Sequence, residues 1–164
     1  MGRFKDGSIF ENRIDGYYCY AQLLPSRVYA FYDYRSEGPL KDVNILKDAS
    51  VLFTVFVSGL TSGGWKKVGR FEPREELAGD ILSFIWDRFT DTFQIYSEIN
   101  GSLRPATYDE CKNLEQAAVW YPEHIEDRIK NHYRGERCIW LENMMNPFYN
   151  PELRINNPYL IVKK

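Results

Sequence analysis

Apolar and polar residues alternate in short runs over the first two-thirds of the chain, punctuated by Gly, Pro, Asn and Asp. That period of two belongs to half-buried β-strands. Residues 8–11 form the first run. Asp15-Gly16, a dipeptide that accepts the positive φ angles of a tight hairpin, separates it from 17–24. Pro25-Ser26 ends that strand, and the aromatic-rich run 28–35 follows, closed by Glu37-Gly38-Pro39. A weaker segment at 43–46 leads into 51–57, whose apolar residues on both faces predict a central strand. The loop 59–64 and the run 65–69 read as a hairpin returning onto it. The aromatic make-up of 81–86 favours a buried strand over a helix end. Residues 93–98 alternate, and Asn100-Gly101 predicts a turn toward Leu103-Arg104.

The pattern changes at Thr107. Thr107-Tyr108-Asp109-Glu110 is a capping box, and Cys111, Leu114, Ala117 and Ala118 then share one helical face. Pro122 suits the first turn of a second helix, in which Ile125, Ile129 and Tyr133 recur every fourth residue until Gly135 stops it. Beyond, Asn146-Pro147, Asn150-Pro151 and Asn157-Pro158 bar a long helix, and 159–162 read as a final strand. The expectation is one α+β domain over 1–164. Residues 1–105 are mainly β, a strongly bent antiparallel sheet or partly open β-barrel. Two short helices occupy 107–135, and 136–164 form an extended tail.

Composition narrows the function. The 164 residues carry a formal charge of −2, which argues against a polyanion binder, and their 12 Tyr, 10 Phe and 4 Trp argue against disorder. The longest apolar run, 51–57, is far short of the ~20 residues that span a bilayer. Behind Met1-Gly2 there is no secretory signal, and Asp6 stands where a myristoylation signal needs Ser or Thr. Cys19, Cys111 and Cys138 are odd in number and widely spaced, the usage of reduced core thiols, so a cytoplasmic home is expected.

Catalytic signatures are sparse. The loop 59–64 has glycines at phosphate-loop spacing, but Trp65-Lys66 follow where Lys and Ser or Thr are needed, and neither a nucleophile elbow nor a dinucleotide fingerprint occurs. His124 and His132 lie ~12 Å apart along one helix, too far for one metal. Glu123 and Asp127 beside His124 suggest a carboxylate–imidazole site, or else simply favour the helix dipole. Lys66, Lys67 and Arg70 beside Trp65 suit either stacking on single-stranded nucleic acid or a solvated strand face. No cofactor and no catalysis are expected. The tyrosine runs 17–20 and 29–34 point instead to a protein interface, with about half of the rings turned inward by the strand period. The candidate anchors are Tyr32, Asp33, Tyr34, Arg35 and Trp65, set against core packing or an internal Asp–Arg pair. For Asp127 and Arg128 a local pair is the simpler reading. The tyrosines, more than the phenylalanines, should line a partner surface.

Several blocks resemble one bacterial family. They are Gly7-Ser8-Ile9-Phe10, the run 30–35, the run 52–57, Trp65-Lys66-Lys67-Val68-Gly69, Arg104-Pro105-Ala106-Thr107 and, above all, 114–120 with 122–129. Together they resemble the immunity protein 26 family of polymorphic toxin systems, from about Gly7 to Gly135. Ser8 stands where the family more usually has Asp, and Tyr121 where an acidic residue would cap the helix. The resemblance implies a cytoplasmic protein that binds and blocks a toxin domain encoded nearby, with no catalytic residues to carry over. Neither nucleic acid nor membrane is an expected partner. A small enzyme or a nucleic-acid-binding module is the alternative.

Overall fold

The computed structural model describes residues 3–161. The Gly2 position of the myristoylation comparison and Val162 of the expected last strand lie outside the described residues.

The expected strands build a six-stranded sheet from β1 (Ser8–Ile14), β2 (Tyr17–Leu23), β3 (Tyr29–Ser36), β4 (Val51–Val57), β5 (Lys66–Arg70) and the short β10 (Val119–Trp120), in the order β10-β4-β3-β2-β1-β5. Asp15 and Gly16 make the β1–β2 turn with φ of 54° and 85°, which only such residues hold cheaply. The run 65–69 does not return onto β4. Leu60 and Trp65 drop into the core, the chain passes beneath the sheet, and β5 pairs antiparallel with β1 at the opposite edge. Nor is β4 central, because only the two-residue β10 lies outside it, and Phe56 on its outer face stays 39% exposed.

Register shifts at Cys19/Ala21 and Phe31/Tyr32 fall in the adjacent pairs β2–β3 and β3–β4, and a third, at Ile9/Phe10, in β1–β5. Bulges stacked this way bend a sheet sharply. Both faces are buried. Phe10, Ala21, Phe31 and Phe53 face a core sealed by Ile125 and Ile129, while Ile9, Tyr20 and Tyr32 face the other way onto Leu46 and Phe71. Leu46 belongs to a 3-10 turn, Val43–Asp48, where a weak strand lead-in was expected. The Asp42 carboxylate starts it by accepting from the Asn44 N–H.

After a short helix α1 (Glu75–Ala78), a second sheet contains β6 (Leu82–Asp87), β7 (Thr92–Ser97), β8 (Leu103–Ala106) and β9 (Glu115–Gln116), in the order β8-β7-β6-β9. The capping box at Thr107–Glu110 forms, yet α2 (Tyr108–Cys111) is a single turn and not a helix reaching Ala118. Segment 115–120 is taken up in joining the sheets, since β9 pairs parallel with β6 and β10 parallel with β4. Both sheets are therefore mixed. The architecture is α+β with a bent sheet, and neither sheet closes into a barrel.

Helix α3 (Pro122–Arg134) has Pro at its first position and Gly135 in the left-handed conformation at its end. The tail is extended only in part: α4 (Ile139–Asn143), α5 (Glu152–Ile155) and α6 (Pro158–Ile161) are short helical turns, the last where a strand was expected. Asn146-Pro147 and Asn157-Pro158 open turns, because an Asn oxygen caps free N–H groups and Pro fits the first helical position, whereas α4 starts from Cys138. Asn146 accepts from the Phe148 and Tyr149 N–H groups, and Asn157 from that of Tyr159. Folded back, the tail lays Phe148 edge-on against Phe84 and forks Arg154 onto Asp91, whose carboxyl it holds below the usual range.

Arg128 fixes the joint between the sheets. Its guanidinium makes two bonds to the Glu115 carboxylate, at 2.8 and 2.9 Å, and lies 3.8 Å from the centre of the Phe53 ring and 5.0 Å from that of Trp120. Glu115→Ala is expected to leave this cation buried without a partner and to cost about 2–3 kcal/mol in urea unfolding. An unchanged midpoint would show the joint to be held by other contacts.

The second face of the sheet carries a buried polar network. Tyr20 donates to Glu11 at 2.8 Å and accepts from the Leu40 N–H, while Tyr32 donates to the Gln22 oxygen at 3.0 Å. Burial pushes both tyrosine hydroxyls up to about 12, from 10.0. Their folded pKa values lie above their unfolded ones, so their contribution to stability is whole below pH 10 and is lost as pH rises toward 12. Urea midpoints measured on both sides of that window are expected to fall with rising pH. In Tyr20→Phe, which removes one of the two protons, the fall should be shallower.

Candidate functional site

The five candidate anchors do not form one surface, because β3 alternates. Tyr32 (3% exposed) and Trp65 (1%) are core residues. Trp65 meets Phe31 edge-on at 5.5 Å. Tyr34 is half-buried, on the same face as Tyr32, with its ring 6.2 Å from that of Tyr20. Asp33 and Arg35 emerge on the opposite face, where the last turns of α3 cross the strand ends.

On that face, Arg35 lies between two tyrosines. Its guanidinium carbon is 3.9 Å from the centre of the Tyr17 ring and 4.2 Å from that of Tyr133. Tyr133 donates to Asp33 at 3.0 Å, and His132 approaches the same oxygen at 3.6 Å. Arg134 forks onto Asp15 at 3.0 and 2.8 Å, tying the end of α3 to the β1–β2 turn. The internal Asp33–Arg35 pair does not form. Neither does an Asp127–Arg128 pair, since Asp127 accepts from the Trp140 indole and Arg128 turns to Glu115.

Burial, reinforced by the bond to Asp33, pushes the Tyr133 hydroxyl well above its ordinary range. The Arg134 guanidinium holds the Asp15 carboxyl below its ordinary value. Beneath them, burial pushes the Cys19 thiol up to about 11, which makes it inert packing and not a nucleophile. Alongside lies a cleft of about 270 Å³ with Leu52, Phe53, Asn131, His132 and Tyr149 in its walls.

The other chemical candidates do not converge. His124 stacks on Trp140 with ring centres 3.9 Å apart, and Asp127 is already engaged by that same indole. Among the described residues, no three His, Cys, Asp or Glu side chains are placed to hold a metal. Lys66, Lys67 and Arg70 are exposed on the edge strand β5, but Trp65 is buried beneath and Arg70 is engaged by Glu72 and the Asp6 carbonyl.

Tyr133, Arg134, Asp15 and His132 complete the site without having been among the expected anchors. Tyr133 continues the stripe of Ile125 and Ile129, which made it look like one more core position. The available signal was its place at the polar end of that stripe, beside His132 and Arg134. The division of the aromatics is clearer. Only Tyr20 and Tyr32 among the tyrosines are buried, against Phe10, Phe31, Phe53, Phe71, Phe84 and Phe93.

The Tyr133 hydroxyl is expected to contribute about 1 kcal/mol through its bond to Asp33, so Tyr133→Phe should lower the urea midpoint modestly while keeping the stacked ring. A larger loss from Tyr133→Ala than from Tyr133→Phe is the sign that the ring, more than the hydroxyl, supports this face.

No curated protein and no solved structure matches the chain. The model of one family, described as Immunity protein 26, matches residues 5–94. The matched region holds the whole strand run β1–β6 and ends inside β7. The blocks at 114–120 and 122–129, the strongest part of the resemblance seen by eye, lie outside it. The match takes in just over half of the residues, including Tyr17, Asp33 and Arg35 of the tyrosine–arginine face, and the chain belongs to the immunity protein 26 family.

Proposed function

We propose that this chain is the immunity partner of a bacterial toxin domain encoded beside it in a polymorphic toxin system, and that it neutralises that toxin in the cytoplasm by stoichiometric binding, with no catalysis of its own. Family membership supports the reading. The observation that carries it to a surface is the cluster of half-buried Tyr17, Arg35 and Tyr133 with the exposed Asp33, together with Tyr34 from the other side of the same strand. Tyrosine and arginine supply most binding hot spots, since each presents a large, rigid surface with a polar tip. Here the rings are already packed, and that of Tyr133 is also held by its bond to Asp33, so little side-chain entropy remains to be lost on association.

Of the five candidate anchors, Asp33, Tyr34 and Arg35 make the contact, and Tyr32 and Trp65 act from below by fixing the strand. The whole chain acts as one domain, because the tail packs onto the second sheet. A stable complex of this kind buries about 1,200–2,000 Å² in total, which exceeds the cluster and draws in its surroundings.

Co-expression with the neighbouring toxin tests the reading. The expected result is rescue of growth and a stable one-to-one complex on co-purification. Tyr34→Ala is expected to weaken that complex about tenfold, and a Lys66→Ala, Lys67→Ala variant on the edge strand β5 to leave it unchanged. A chain that neither rescues nor binds would end the proposal for that toxin.

A further inference from the structure

Among the described residues, three arginines are each stacked on two aromatic rings. Arg128 lies against Phe53 and Trp120 and grips Glu115 with two bonds. Arg154 lies against Phe93 and Tyr108 and grips Asp91 with two bonds of 2.8 Å. The third, Arg35, lies between Tyr17 and Tyr133 at the shortest pair of distances, and it holds nothing. Among the described residues it makes no side-chain hydrogen bond and no carboxylate lies within ion-pairing distance of it.

Stacking covers the faces of the guanidinium, where hydrogen bonds are weakest, and leaves its N–H edge free. That edge is planar and matches the two oxygens of a carboxylate. In the two filled cases the protein supplies the carboxylate itself. At Arg35 the natural internal candidate, Asp33, is held away by Tyr133 and His132, and Asp15 is taken by Arg134. The result is a fork that is oriented, rigid and half-buried, with both neighbouring acids satisfied elsewhere.

Resting on the partner-binding reading above, we propose that Arg35 is a preformed receptor for one carboxylate of the partner protein, an Asp or Glu side chain that completes the third stacked fork. A protein acid suits the setting better than a nucleic-acid phosphate. The flanking Asp15 and Asp33 repel a polyanion, and the neighbouring Arg134 is already spent on Asp15, whereas one carboxylate needs only the single fork.

Two measurements on the full-length protein test this. In the first, the Arg35 Nε–Hε resonance, assigned by its loss in Arg35→Lys, is followed during titration with acetyl-Gly-Glu-Gly-amide, its Gln counterpart and a single-stranded oligonucleotide. The Glu peptide is expected to shift it saturably and the Gln peptide to leave it in place. An oligonucleotide that shifts it at lower concentration than the Glu peptide would overturn the assignment. In the second, Arg35→Gln is expected to weaken the toxin complex at least about 30-fold, and Arg35→Lys, which keeps the charge but not the fork, about tenfold. Among single Asp→Asn and Glu→Gln changes in the toxin, one should lose its effect in the Arg35→Gln background. Full-strength binding by Arg35→Gln defeats the carboxylate receptor while leaving the immunity function standing. A shifted resonance with the Glu peptide but no toxin complex does the reverse.

Discussion

Segment 115–120 has to serve two sheets at once, and the Arg128–Glu115 fork holds it in both. Glu115 and Gln116 extend the second sheet beside β6; a few residues later Val119 and Trp120 edge the first beside β4. Two parallel pairings, each two residues long, are too short to be stable unaided. Arg128 supplies the missing constraint by gripping the carboxylate at one end of the segment while stacking over the indole at the other. Because Arg128 stands on α3, between the buried Ile125 and Ile129, the pose of the helix and the joint between the sheets become one requirement.

That requirement reaches the candidate site. The same helix, seated by its isoleucines over β1–β4, delivers Tyr133 and Arg134 to the strand ends one turn further on. The sheet meets them there because its bulged pairs bend it, which lets a short helix cover one face while the 3-10 turn at 43–48 covers the other. Tyr17, Asp33 and Arg35 are therefore placed by the curvature of the sheet as much as by their own strand positions.

Local chemistry was legible in the sequence wherever it decides the outcome. The Asp15-Gly16 and Asn100-Gly101 turns, the capping box at Thr107 and the Pro122–Gly135 helix follow from residues whose conformational preference has few rivals. Long-range pairing was not. Nothing in Trp65-Lys66-Lys67-Val68-Gly69 distinguishes β4 from β1 as a partner; burial of Leu60 and Trp65 beneath the sheet makes the choice. Asn followed by Pro is also ambiguous locally, since it can end a helix or begin a short one, and packing of Phe148 and Arg154 on the second sheet decides for the latter. At the site, the identities of Asp33, Tyr34 and Arg35 drew attention to β3, but alternation put them on two faces, and their principal companion, Tyr133, is a hundred residues away in the chain.

The arrangement at Arg35 raises the question of why a stacked arginine can remain unfilled. Covering a guanidinium on both faces removes part of its hydration, and a fully buried cation without a partner is among the costliest defects a fold can carry. Arg128, with its side chain 12% exposed, has its own carboxylate; so has Arg154, at 33%. Arg35 has none and, like them, is only half-buried, so water can serve its N–H edge until something better does. The tyrosine rings limit how far it can swing, and Asp33 is kept occupied by the Tyr133 hydroxyl, which donates to it. Each feature that prevents an internal ion pair also holds the fork open toward solvent. A cation held this way loses little on remaining hydrated and loses almost no conformational freedom when a carboxylate replaces the water.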